Sequence, residues 1–301
     1  MTNQVFAAYS NLSVYSAMGV LTLAMVAFSV SLARSTVAAP EPGARLPVTR
    51  PGPERRPGGV AMAMTWLGGS LAVLAVILRG LSVARVPWGN MYEFATTGAA
   101  AVIAAFLLLS LRRDLRWLGV FIVGPALLTL GLAVTVYYTQ ASQLLPALRS
   151  IWLVIHVSVA IVSIAVFTVA FSVSVLYLIK SSREQRPAAR RTFMEALPDS
   201  GTLERTSYAL HIIAFPLWTF TLIAGAIWAD QAWGAYWQWD PKEVWTFIIW
   251  VIYAAYLHAR ATAGWSRQRA AVIACVGYGS ILVNYMVVNV YFVGMHSYSG
   301  M

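Results

Sequence analysis

The chain has 301 residues, 59% of them hydrophobic and only 11% charged, against about 25% charged in an ordinary soluble domain. With a mean hydropathy of +0.68, a water-soluble globule, a disordered tail, a secreted disulfide scaffold and a collagen-like fibre are excluded. The single cysteine, Cys275, excludes internal disulfides, iron–sulfur ligation and a CxxC redox pair, and its apolar setting makes it a small buried hydrophobe.

Eight apolar runs follow in chain order, at 10–33, 60–80, 91–110, 117–137, 151–179, 207–229, 244–259 and 270–293. At about 20 residues per crossing, they predict an all-α polytopic membrane protein of about eight transmembrane helices. The first run lacks a basic leader and is too long for a signal peptide. The connections at 34–58, 111–116, 180–206 and 260–269 hold all but four of the 21 basic residues, the exceptions being Arg79, Arg85, Arg149 and Lys242. These basic loops alternate with the others, so the positive-inside rule puts both termini on the extracytoplasmic side. Loops 81–90, 138–150 and 230–243 join them there. The net charge of +10 is then a matter of orientation, and nucleic acid drops out as a partner. The Pro/Gly/Arg-rich stretch 38–59 reads as a flexible cytoplasmic linker. It divides a first part, 1–59, from a seven-helix membrane domain at 60–301.

Six of the twelve tryptophans fall in and just after one loop: Trp228, Trp233, Trp237, Trp239, Trp245 and Trp250. An interfacial aromatic belt predicts indoles spread around the protein, not this density in the single loop 228–245. At its end, Asp240 suits the cap of helix 7, Pro241 the first helical position, and Glu243 the third position of a capping box. What remains is a rigid indole shelf at the membrane surface, suited to a large, flat, apolar ligand with a polar rim, such as a porphyrin.

The four histidines, His156, His211, His258 and His296, all lie in or beside apolar runs. Any one alone is more often a packing residue, but ionisable groups inside a membrane are functional candidates. His156 lies about 9 Å into helix 5 from the outer loop by helix rise, and His296 follows helix 8 on the same side. Two imidazoles flanking an aromatic shelf suit the axial positions of a haem iron. His258 and His211 lie deeper, at depths that agree to about one helical turn.

The run WGAYWQWDPKEVW (233–245), with YLHAR (256–260) and GMHSY (294–298), resembles the haem-handling proteins that carry the WWD domain. Within that group it is most similar to the CcsA/ResC-type subunit of system II cytochrome c biogenesis, called CcsB in actinobacteria. VPWGNMYEF (86–94) resembles the PxxNMYE segment of that family, and FPLWTFTLIAGAIWA (215–229) its FPLLT…GAxWA helix. The resemblance covers about residues 80 to 300. It implies a cytochrome c synthase that binds haem b, presents it at the outer face and attaches it to the CxxCH motif of apocytochrome c. It implies that His156 and His296 ligate that haem beside Trp233, Trp237, Trp239, Asp240 and Trp245. His258 matches the histidine of a deeper haem site, completed by a CcsB/Ccs1/ResB-type membrane subunit. His211 has no counterpart in the motif; it is a helix-end residue or, alternatively, the in-chain partner of His258. The two thiols come from the apocytochrome, and their addition requires ferrous iron. The expected location is the plasma (inner) membrane, or the thylakoid membrane in a plastid.

Two other classes compete. A haem exporter or chaperone would present haem without forming bonds. A bis-haem electron carrier would place histidine pairs at matched depths on a four-helix bundle, but helices 5 and 8 carry one candidate each.

Overall fold

The computed structural model describes residues 2–37, 56–143, 150–185 and 192–296. Most of the 38–59 linker and the last two residues of the GMHSY motif lie outside the described residues. The described residues are helical, with no strand among them. Eight helices are long and apolar enough to cross a membrane, which agrees with the eight hydropathy runs. They are α1 (Gln4–Val37), α2 (Arg56–Val83), α3 (Met91–Ser110), α4 (Gly119–Thr135), α5 (Ile151–Glu184), α6 (Ser200–Trp233), α7 (Pro241–Ala261) and α8 (Arg267–Val283). A π-helical turn, Asn284–Val288, and a last turn, Asn289–Tyr291, continue α8. The helices outrun the apolar windows, most at α1 and α6, because polar side chains serve as well in a helix once it leaves the hydrocarbon.

Helix starts follow local chemistry. Asn90 accepts from the Glu93 amide at 2.9 Å to open α3, and Ser150 from the Trp152 amide at 3.2 Å to open α5. The expected capping box of α7 is present: Asp240 accepts from the Lys242 amide at 2.9 Å, and Glu243 Oε2 accepts from the Asp240 amide at 3.1 Å. Helices α3, α5 and α7 therefore begin, and α6 and α8 end, at the same end of the bundle.

Helix α5 is the hub, with 67% of its apolar window buried against 22% for α1 and for α7. It packs on α3, α4, α6 and α8, while α1 lies along α2 and α4. On one flank of α5, Leu21, Phe28, Ile103, Phe106 and Ile122 form the larger core. On the other, Phe167 stacks on Tyr253 at 3.9 Å and Phe171 on Tyr278 at 4.3 Å. Lipid gives no hydrophobic drive between helices, so close packing and hydrogen bonds hold the bundle. Ser163 Oγ donates to the Ala214 carbonyl at 2.9 Å, Trp218 Nε1 to the Thr246 carbonyl at 3.1 Å, and Ser174 and Ser207 hydroxyls meet at 2.7 Å.

Candidate functional site

Where α3, α5 and α7 begin, the helices part around a cavity of about 1300 Å³, its open mouth included. From α5 and α6 come Leu153, Val157, Ala160 and Leu222, with Thr221. The wall formed by the starts of α3 and α7 and the π turn carries Trp88, Asn90, Lys242, Glu243, Asn284 and Tyr285 beside the apolar Met91 and Phe94. Trp218, Trp228, Trp233 and Trp237 complete the lining, with both His156 and His296.

His156 stands on α5 and points at α6. Its Nδ1 lies 2.9 Å from the Thr221 carbonyl, so the proton belongs on Nδ1 and the lone pair on Nε2. The ring lies within 16° of parallel to the Trp228 indole, centroids 6.0 Å apart. A Cβ at Gly225 would stand 2.8 Å from His156 Cε1, closer than any real side chain tolerates, so only glycine lets α6 approach the imidazole.

His296 comes from the segment after α8. Its Nδ1 is 2.8 Å from Asp240 Oδ2, and the neighbouring Met295 amide donates to Asp240 Oδ1 at 2.5 Å. The ring meets Trp233 edge-on at 5.0 Å and Trp228 at 5.9 Å. Burial raises the Asp240 carboxyl, but hydrogen bonding and charge from His296, with the Lys242 and Met295 amides, bring it below the ordinary carboxylate range. Each histidine thus spends Nδ1–H on a fixed oxygen, the arrangement that orients metal-ligating imidazoles and raises their basicity.

The α3 wall is held by charge. Glu93, fully buried, receives Arg79 Nε at 3.0 Å, Arg85 Nη1 at 2.8 Å and the Gly89 amide at 2.8 Å. Arg79 also donates to the Thr139 carbonyl, and Arg85 to the Val86 and Ser142 carbonyls. The clamp fixes the turn that carries Trp88.

The structure brings His156, His296, Trp233 and Trp237 to one cavity. Asp240 sits behind His296 rather than on the lining. Trp239 is 77% exposed, in a left-handed conformation (φ 58°), and touches Trp237 edge-on at 5.7 Å. Trp245 is half-buried on α7 and is not part of the lining. The shelf is therefore the wall of a cavity, built by Trp228, Trp233 and Trp237 together with Trp88 and Trp218.

The two deeper histidines are kept apart. His211 is fully buried, its Nδ1 2.8 Å from the Ser207 carbonyl and its ring among Phe167, Tyr253 and Tyr256. It is a core residue, not a helix-end one, because α6 begins eleven residues earlier at Ser200. His258 is exposed. It follows Tyr256 by two residues, about 200° around the helix, so it faces away from His211.

Sequence reasoning did not single out Trp88, Trp218, Asn284, Tyr285 or Lys242 as lining residues. Lys242 had left a trace, as one of four basic residues off the basic loops.

The family model for cytochrome C assembly proteins matches residues 88–296, from one wall tryptophan to the second cavity histidine. The cytochrome c biogenesis protein CcsA of Gloeobacter violaceus is 33% identical, the match covering 79% of this chain and 92% of that one. CcsA of Synechococcus elongatus is 35% identical over 73% and 81%, and CcsA of Chlamydomonas reinhardtii 34% identical over 76% and 65%. Among solved structures, the cytochrome c haem lyase CcmF aligns with 95% of this chain at a TM-score of 0.68 and 17% identity. That likeness concerns the fold, and this chain spans about half (47%) of the CcmF chain. By the family match and these relatives, the chain belongs to the cytochrome c assembly protein family, as a CcsA-type subunit of cytochrome c biogenesis.

Proposed function

We propose that this protein binds haem b as its substrate between His156 and His296, presents it at the extracytoplasmic face, and takes part in attaching it to apocytochrome c. The observation that carries this reading is the pair of imidazoles on one indole, Trp228, each with Nδ1 engaged by a protein oxygen. The residues fit a haem in two further respects. The cavity lining is mostly apolar with a few polar groups among it, as a porphyrin with two carboxylates requires. Its buried Trp228 indole N–H has no partner among the described residues, as expected of a wall that meets a ligand.

The chain's own contribution is to hold and orient. His156 and His296 would supply axial nitrogens, and the indoles would exclude water and fix the ring plane. Thioether formation adds each apocytochrome S–H across a vinyl C=C: one C–S and one C–H bond form, while the S–H bond and the π bond break. No oxidant is consumed and no thiol of this chain is needed. The CxxCH histidine of the apocytochrome would replace one axial imidazole and begin release.

The basic loops support an orientation with the cavity and both termini outside, in the plasma (inner) membrane, or the thylakoid membrane in a plastid. The outward exposure of His258 supports a deeper haem completed by a CcsB/Ccs1/ResB-type subunit rather than by His211. The chain is read as a first part, 1–59, and a haem-handling membrane domain at 60–301, with α1 packed along α2.

The test is reconstitution with that partner, haem and an apocytochrome carrying CxxCH. Covalent haem that survives denaturation and acid–acetone extraction supports the synthase reading. Haem that is delivered yet fully extractable shows an exporter or chaperone.

A further inference from the structure

Eight buried side-chain polar atoms lack a hydrogen-bond partner among the described residues, and five of them line this one cavity. They are Trp88 Nε1, Trp228 Nε1, Glu243 Oε1, Asn284 Oδ1 and Tyr285 Oη. An unpaired buried polar group costs about 1–3 kcal/mol, so this concentration points to a ligand that brings polar atoms of its own. Three of them, the Trp88 and Trp228 indole N–H groups and the Tyr285 hydroxyl, can donate, while Glu243 Oε1 and Asn284 Oδ1 only accept; of the donors, Trp88 and Tyr285 belong to the wall that also carries Lys242.

Lys242 is the cation of that wall. Its Nζ donates to the Asn289 side chain at 2.5 Å and to the Asn284 carbonyl at 3.3 Å, where the π turn widens α8. Both acceptors are neutral. Among the described residues no carboxylate lies within ion-pair distance of Nζ. An ammonium has three donors, so one remains. Of the nearby carboxylates, Asp240 is engaged by His296 and the Lys242 amide, and Glu243 Oε2 by the Gln238 and Asp240 amides, while Glu243 Oε1 has no partner among the described residues. The amide dipoles at the starts of α3 and α7 add positive potential on the same side.

We infer that Lys242, with the indole N–H of Trp88 and the hydroxyl of Tyr285, forms an anion-binding wall that takes the propionate carboxylates of haem and so sets which edge of the ring faces α5 and α6. The inference rests on the haem reading above. Lys242 is a substrate-orienting residue in this role, with no part in proton transfer or bond formation.

The experiment is a titration of the purified full chain with ferric haem and, separately, with haem dimethyl ester, which keeps iron and ring but has no carboxylates. Soret absorbance and tryptophan quenching report binding. The unsubstituted protein should prefer haem by about tenfold or more, the scale of one charge-assisted hydrogen bond. Lys242→Met should erase most of that preference by weakening haem while sparing the ester, and Lys242→Arg should restore it. Tyr285→Phe, which removes only a hydroxyl, should lower the preference partway and keeps the test open if Lys242→Met fails to accumulate. Equal binding of both compounds by the unsubstituted protein overturns the wall. So does equal weakening of both by Lys242→Met. If both titrations are indifferent to His156→Ala, the haem reading fails. If both need His156 but show no preference, the wall alone fails.

Discussion

The carboxylate of Asp240 holds the first turn of α7 through the Lys242 amide and, at 2.8 Å, the Nδ1 of His296. One residue thus fixes where a helix begins and how an imidazole is aimed. Asp240→Asn separates the two roles, since Asn caps helices nearly as well but carries no charge. Haem affinity should fall about 10- to 100-fold, the usual cost of losing a ligand's hydrogen-bond partner, with membrane abundance unchanged. Equal affinity in the variant would show that Asp240 is a cap only.

The same residue gives a pH expectation. Its carboxyl is held below the ordinary range, so its contribution to stability is present above the unfolded pKa of about 3.9 and is lost as pH falls through the lower folded value. Acidification from pH 7 to 5 should therefore leave the Asp240–His296 contact intact. A His296-dependent Soret change tracking carboxylate titration in that range would contradict this.

His156→Ala or His296→Ala should each lower haem bound at this cavity and lower cytochrome c maturation, because one axial nitrogen is removed. Added imidazole should partly restore both in whichever variant leaves a hole it can enter. Pyridine-haemochrome spectra of the purified variants, beside maturation yields, provide the check. Normal maturation in both variants would refute the ligand assignment.

The tryptophans should not be equivalent. Trp228→Leu removes the indole touched by both histidines and should impair haem binding most. Trp237→Leu removes a lining ring and should have an intermediate effect. Trp239→Leu changes a residue that is 77% exposed and should alter haem binding less than twofold. A belt role predicts instead that all three reduce membrane abundance and leave specific activity unchanged.

His211 and His258 should part company. His258→Ala should leave the subunit's own abundance normal and remove haem only in the presence of the partner subunit. His211 Nε2 has no partner among the described residues, and its Nδ1 bonds only Ser207 one turn back on the same helix, so an aromatic ring of similar shape costs about one hydrogen bond there, ~1 kcal/mol. His211→Phe should keep haem content and abundance. Loss of the deep haem in His211→Phe with His258 intact would reverse the assignment.

The Glu93 clamp is a matter of stability. Glu93→Gln strands Arg79, which is 2% exposed, beside Arg85 without their shared anion. Breaking a buried pair in this way costs about 3–5 kcal/mol. The variant should accumulate poorly or lose detergent stability, measured by thermal aggregation. Behaviour like the unsubstituted protein would mean that the arginines find other acceptors.

Much of the molecule could be read without coordinates because the bilayer permits few solutions. A span needs a run of apolar residues, and only a helix satisfies its backbone there, so the eight crossings follow from hydropathy alone. The start of α7 was legible for a similar reason, since Asp240, Pro241 and Glu243 act within one turn. The four histidines and the crowded indoles were visible as candidates from residue type and depth.

Rotation about the helix axes was not legible, because in lipid both the packed and the exposed faces of a helix are apolar. Only tertiary packing decided that His211 turns into the aromatic core while His258 turns out. The same packing assigned Trp228 to the cavity and Trp239 to its exterior, although both belong to one aromatic-rich stretch. It also drew Trp88, Asn284 and Tyr285, separated by nearly two hundred residues of chain, to the wall that Lys242 occupies. No local pattern encodes such a meeting, since it depends on which helix ends converge and on the π turn that redirects the end of α8.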